Sequence, residues 1–150
     1  MERRDFLKKT CGACTAAGLS IFLAGTIFEG CKTTGTLSIL KTTADQDGAV
    51  HIPLAQFDQS SFKLIRINGY SYDIGVQKLE GGQFSALLLM CTHAGQALNR
   101  SGEGYFCTLH GSRFTKEGKV LKGPASSPLE HLETTVSGTD LLITLDPAYA

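Results

Sequence analysis

The chain has 150 residues, 42% of them apolar, with 17 Gly and no Trp. That length suits one domain with a short appendage, and the glycine content suits a fold rich in turns. Fourteen Lys/Arg balance fourteen Asp/Glu, which excludes the strongly basic chain that nucleic acid would select as a partner.

Residues 1–31 read as a segment apart. Glu2-Arg3-Arg4-Asp5-Phe6-Leu7-Lys8-Lys9 is basic and contains R-R-x-F-L-K. Nineteen residues without charge follow, from Thr10 to Phe28. A twin-arginine start before a moderately apolar run is the pattern of a Tat-type export signal, with Glu2 where a Ser or Thr is usual. As a helix the run would rise about 28 Å, close to the roughly 30 Å hydrocarbon core of a bilayer. No clear A-x-A cleavage site follows. The segment is therefore expected to stay as a membrane anchor with Arg3, Arg4, Lys8 and Lys9 inside. Lipidation at Gly30-Cys31 is the second option, which Phe28 and Glu29 fit poorly. Either way the expected location is the bacterial inner membrane, with the remaining chain on its periplasmic face. Cys11 and Cys14 form C-x-x-C inside this segment and read as small apolar residues.

Residues 32–48 are rich in Thr, Gly and Asp and read as a tether, with a short strand at Leu37–Leu40. From residue 49 onward the pattern is short strands. Val50, Ile52 and Leu54 alternate with other residues. Phe62–Ile67 is β-rich and ends at Asn68-Gly69, a hairpin signal. Tyr70, Tyr72, Ile74 and Val76 alternate next, the two tyrosines reading as sheet aromatics. Glu80-Gly81-Gly82 makes a turn, and Phe84, Ala86, Leu88 and Met90 alternate after it. Further strands are predicted at Arg113–Thr115, Lys119–Leu121, Leu132–Val136 and Leu141–Leu145, with the last turn at Ser137–Asp140. No long helical period occurs. The fold class is all-β, an antiparallel sandwich or small barrel over residues 49–150.

Two stretches carry chemistry. Cys91-Thr92-His93-Ala94-Gly95 and Cys107-Thr108-Leu109-His110-Gly111-Ser112 each supply one Cys and one His. Two thiolates and two imidazoles suit either tetrahedral zinc or an iron–sulfur centre. A mixed Cys/His pair used twice favours iron, because zinc sites more often pair Cys with Cys and His with His along the chain. One iron held by Cys91 and Cys107 and the other by His93 and His110 is the Rieske arrangement. His51 and His131 lie outside the pattern and read as surface or packing residues. Glu130 and Glu133 read as solvated. No Ser-His-Asp set, phosphate-binding Gly loop or hydride-cofactor fingerprint occurs.

With these residues in view, the stretch 91–129 resembles a Rieske 2Fe-2S iron–sulfur domain of the cytochrome bc type. Gly111-Ser112 after the second His matches the family's H-G-S, and Gly123-Pro124-Ala125 matches its proline loop. The resemblance implies a β domain with the cluster on two loops at one tip. It also implies that Ser112 donates its hydroxyl to a bridging sulfide. Gln96 and Leu109 occupy the positions of the family's disulfide cysteines, so no disulfide can tie these loops. Phe114 replaces a Tyr that would donate a second hydrogen bond, which points to a potential below the top of the family's range.

The ligand set fixes the electrostatics. Two Fe(III), two sulfides and two thiolates sum to zero charge, so adding an electron is easier than for a four-Cys cluster. Rieske potentials accordingly span roughly −150 to +300 mV, against about −400 mV for plant-type ferredoxins. Each imidazole also keeps one ring nitrogen that can titrate, which links electron to proton uptake. The expected function is one-electron transfer as the iron–sulfur subunit of a quinol-oxidising membrane complex, with cytochrome or quinol-oxidising subunits as partners. The small Rieske subunit of a periplasmic molybdenum oxidase, such as arsenite oxidase, is the nearest alternative. A zinc-bound structural module is the alternative of another class.

Overall fold

Alternation of apolar residues along residues 39–144 lays out the architecture. The computed structural model describes residues 39–102 and 104–149. The signal or anchor, the C-x-x-C, Cys31 and the start of the tether lie outside the described residues. Among the described residues no helix is long and apolar enough to cross a membrane. The strands in chain order are β1 (Ile39–Thr42), β2 (Ala49–Pro53), β3 (Phe62–Ile67), β4 (Ile74–Lys78), β5 (Phe84–Leu88) and β6 (Asn99–Ser101). They continue with β7 (Gly104–Phe106), β8 (Arg113–Thr115), β9 (Val120–Lys122), β10 (His131–Leu132), β11 (Thr134–Ser137) and β12 (Asp140–Thr144).

Three sheets result. Five strands run in the order β1-β3-β4-β5-β10, and three in the order β11-β12-β2. These two pack face to face as the base. Between β5 and β10 the chain inserts a third sheet, β6-β7-β8-β9, whose antiparallel strands follow sequence order.

Period-two alternation on the central strands assigns residues to two cores. Ile65 and Ile67 of β3, Ile74 and Val76 of β4, and Ala86 and Leu88 of β5 face the base core. There they meet Val50 and Ile52 of β2 and Leu141 and Ile143 of β12. The intervening Leu87 and then Leu89 face the other way, onto Tyr105, Phe114, Leu98 and Leu129 of the insert. Phe62 and Leu64 of β3 pack on this second core too. The five-stranded sheet is thus buried on both faces where the insert covers it.

Four expectations need correction. The strand expected at Leu37–Leu40 lies at Ile39–Thr42 and pairs in parallel with β3, so residues 39–48 belong to the folded unit and not to a tether. Asn68-Gly69 does turn, with the Tyr70 N–H donating to the Ile67 carbonyl at 3.2 Å and Gly69 at φ 88°. The next strand, however, starts only at Ile74. Asp73 instead receives a two-pronged bond from Arg66 at 2.8 and 2.7 Å, and its carbonyl accepts from the Leu89 N–H. Leu132–Val136 is two strands, because the chain leaves β5 after Leu132 and joins β12 from Thr134. The segment at Leu54 turns into a short 3-10 helix, Leu54–Phe57, that seats Phe57 edge-on against Phe84.

The insert packs tightly against β4 at Gly75. A Cβ there would sit 2.6 Å from the Tyr105 hydroxyl and 3.4 Å from Leu89 Cδ2. Gly75→Ala is expected to destabilise the fold by about 1–3 kcal/mol in urea unfolding, as overpacking does. Adding Tyr105→Phe should recover most of the loss; a double variant no better than Gly75→Ala would contradict this packing.

Candidate metal centre

The two Cys/His stretches form loops on the same backbone frame. In the first, Cys91 N–H donates to the Gln96 carbonyl and Gly95 N–H donates back to the Cys91 carbonyl, both at 2.8 Å. In the second, Cys107 N–H donates to the Ser112 carbonyl at 2.9 Å, and Gly111 N–H to the Cys107 carbonyl at 3.0 Å. Each loop therefore closes through a glycine four residues after its Cys. Gly95 and Gly111 sit at φ 64° and 80°, where a side chain would be strained. The frame explains why C-x-H-x-G and C-x-x-H-G can work as a pair.

The loops present their donors in two pairs. Cys91 and Cys107 are unbridged and each only 1% exposed. Burial works against ionising Cys107, but the amides of His110 and Leu109 and the Cys91 thiol outweigh it, so the thiol lies below its ordinary range. The imidazoles of His93 and His110 face each other edge to face, with Nδ1 3.1 Å from Nδ1. That spacing fits two donors sharing one metal at bonds of about 2.0–2.1 Å. Both histidines are exposed, and the Nε2 atoms lie on the far side of each ring. Among the described residues no three His, Cys, Asp or Glu donors gather on one point. The thiols neighbour each other and the imidazoles neighbour each other, a pairing that the two irons of a Rieske centre would use.

Ser112 is fully buried, and its Oγ accepts the Ala125 N–H at 3.0 Å. Its own proton takes no part in that bond. The bond ties the proline loop to the second ligand loop. Thr92 ties it to the first, its hydroxyl donating to the Ser127 carbonyl at 2.7 Å. Phe114 is wholly buried in the insert's core and has no donor to offer. Gln96 and Leu109 are exposed, Leu109 at 58%. His51 lies instead beside Asp45 at 3.3 Å, and His131 beside Ser85 at 3.5 Å.

Alternation missed Tyr72. It is not in a strand; its hydroxyl donates to the Gly95 carbonyl at 2.7 Å, bracing the first loop from the base. Behind it Tyr149 stands edge-on at 6.5 Å and bonds Glu130 through its hydroxyl. Glu130 is therefore not merely solvated. The only hint in the chain was the lone aromatics beside turn residues.

The hydrogen bond to Glu130, foremost, pushes the Tyr149 phenol from its ordinary value near 10 up to about 12. The fold thus favours the neutral phenol. Stability from this bond is complete below pH 10 and is lost as pH rises from 10 to 12. Unfolding midpoints across that window should fall in the native chain, with a smaller fall in Tyr149→Phe.

Similarity to known proteins agrees with this geometry. Residues 52–135 match the family described as Rieske 2Fe-2S domain. The cytochrome b6-f complex iron–sulfur subunit of Chlorobaculum thiosulfatiphilum is 26% identical over 95% of this chain and 75% of its own length. The same-named subunit of Synechococcus sp. (strain JA-3-3Ab) is 41% identical over 54 residues, only 31% of its length. The crystal structure of the plasma membrane Rieske protein PetC3 from Synechocystis PCC 6803 superimposes with a TM-score of 0.52 at 30% identity. It covers 64% of this chain and 99% of that one. The chain belongs to the Rieske 2Fe-2S family, and its cofactor is the Rieske-type 2Fe-2S cluster.

Proposed function

We propose that Cys91 and Cys107 hold one iron of the cluster, and that His93 and His110 hold the other through Nδ1. Ser112 donates its hydroxyl proton toward a bridging sulfide. The chain then passes single electrons within a quinol-oxidising membrane complex. The observation that carries this is the paired Nδ1 atoms, 3.1 Å apart, on two exposed rings. With Nδ1 committed inward, Nε2 of each ring is the atom that meets a donor at the tip.

When bound, the cluster supplies a one-electron couple. The chain's own residues do the rest. The buried thiols keep water from one side of the site, while the exposed imidazoles open the other side to it. His Nε2 can accept a proton as the site gains negative charge, so electron and proton are taken up together. That suits a quinol, which gives up both. The relatives named as cytochrome b6-f subunits support this reading over the molybdenum-oxidase alternative. The R-R-x-F-L-K start and the uncharged run after it support attachment at the inner membrane with the head outside. Export after folding would suit a cluster built in a reducing cytoplasm.

Electron paramagnetic resonance of the dithionite-reduced protein should give a Rieske-type signal, and stoichiometric zinc without iron would overturn the assignment. The potential should fall as pH rises across the neutral and alkaline range, by about 59 mV per pH unit for each proton taken up with the electron. A potential flat across neutral and alkaline pH would remove the quinol link. His110→Cys adds a negative ligand and should carry the potential toward the ferredoxin value near −400 mV.

A further inference from the structure

Charge is divided sharply between the base and the insert. Residues 91–129 carry five Lys/Arg and two Asp/Glu. The base, residues 39–90 and 130–150, carries four Lys/Arg and nine Asp/Glu. The near-neutral total hides a head whose cluster-bearing half is positive and whose other half is negative.

The positive charge is focused on one face. Arg113 of β8 and Lys122 of β9 are direct cross-strand partners, and both are exposed. Like charges placed opposite each other destabilise a sheet. The ion pairs of Asp45 with His51 and of Asp73 with Arg66 involve neither member of this pair. Lys116 and Lys119 lie on the β8–β9 turn, with Glu117 between them. Beside them runs an open groove of about 620 Å³, lined by Phe106, Arg113, Thr115, Lys116, Glu117 and Leu121. Leu121 is 66% exposed, the most of any large apolar side chain described. Phe106 and Arg113 face each other across β7 and β8, and they flank the second ligand loop, Cys107–Ser112. The groove begins where that loop leaves the sheet.

We propose that this face docks an acidic protein that accepts the electron. The inference rests on the electron-transfer reading above. Carboxylates around a partner's haem or copper centre would relieve the Arg113/Lys122 repulsion, and an apolar side chain would fill the groove over Leu121. One electron leaves the reduced cluster and reduces the partner's oxidised metal by one unit, and the proton taken up with that electron leaves His Nε2 for water. A concave, partly apolar face suits a protein with protruding side chains better than the flat headgroup layer of a membrane. The divided charge also orients approach, since the negative base repels the same partner.

The test follows oxidation of the reduced full-length protein by stopped flow. Hexacyanoferrate(III), a trianion, should react several-fold more slowly as ionic strength rises from about 10 mM to 1 M, where the Debye length shrinks from about 30 to 3 Å. Tris(phenanthroline)cobalt(III), a trication, should show no such fall. Polyglutamate, standing in for an acidic surface, should slow the hexacyanoferrate(III) reaction. Arg113→Gln/Lys122→Gln should lose most of the salt dependence and the polyglutamate effect, with the potential measured alongside to separate any change in driving force. Lys41→Gln/Lys78→Gln, an equal charge change on the base, should keep both. Equal losses in the two double variants, or a salt-independent wild type, would overturn the proposal. So would phosphatidylglycerol vesicles that bind the wild type and not Arg113→Gln/Lys122→Gln, since the face would then be a lipid contact. A missing Rieske resonance would sink electron transfer itself, whereas an intact resonance with salt-independent rates sinks only the docking face.

Discussion

The double-sided burial of β5 is the constraint on which the rest depends. A strand offers alternate side chains to opposite faces, and from Ala86 onward along β5 both sets are apolar. Ala86 and Leu88 are consumed by the base, while Leu87 and then Leu89 are consumed by the insert. A one-residue slip would exchange the two sets and mismatch both cores at once, so the register is strongly fixed. The first ligand loop starts two residues beyond Leu89. Its position relative to the second loop is therefore set by packing and not by a covalent link.

That matters because no disulfide joins these loops. Tyr72 braces the first from the base, Thr92 links it to the proline loop, and Ser112 links the proline loop to the second. Each of these bonds contributes on the order of 1 kcal/mol net. Together they hold two glycine-closed frames of the same design facing each other. The thiols end up buried and the imidazoles exposed, so the site is dry on one side and wet on the other. On the ligation proposed above, this asymmetry insulates one pair of donors and leaves the other open to protons.

The local parts of this arrangement were legible in the chain. Phe62–Ile67 and Arg113–Thr115 lie where alternation put them, and the donor spacing with H-G-S and G-P-A pointed to the family that residues 52–135 match. Long-range parts were not legible. Ile39–Thr42 looks like a tether because its partner β3 lies more than twenty residues on, and parallel pairing leaves no turn signal between them. Leu132–Val136 reads as one strand because its residues alternate without a break, yet Glu133 is where it changes sheets. Tyr72 reads as a sheet aromatic because its partner, the Gly95 carbonyl, is 23 residues away.

The insert has another property that follows from its topology. Its strands pair only with their neighbours in sequence, β6 with β7, β7 with β8, β8 with β9. The base instead closes by bringing Ala49–Pro53 to Asp140–Thr144, opposite ends of the domain. Contacts close in sequence form faster than distant ones, because less chain entropy is lost before they are made. The meander carrying the second ligand loop can therefore take shape during synthesis before the base has its last strand. The two loops meet only where this meander is packed on Leu87 and Leu89. A cluster spanning both loops thus depends on a contact between a locally paired meander and a sheet closed by distant strands.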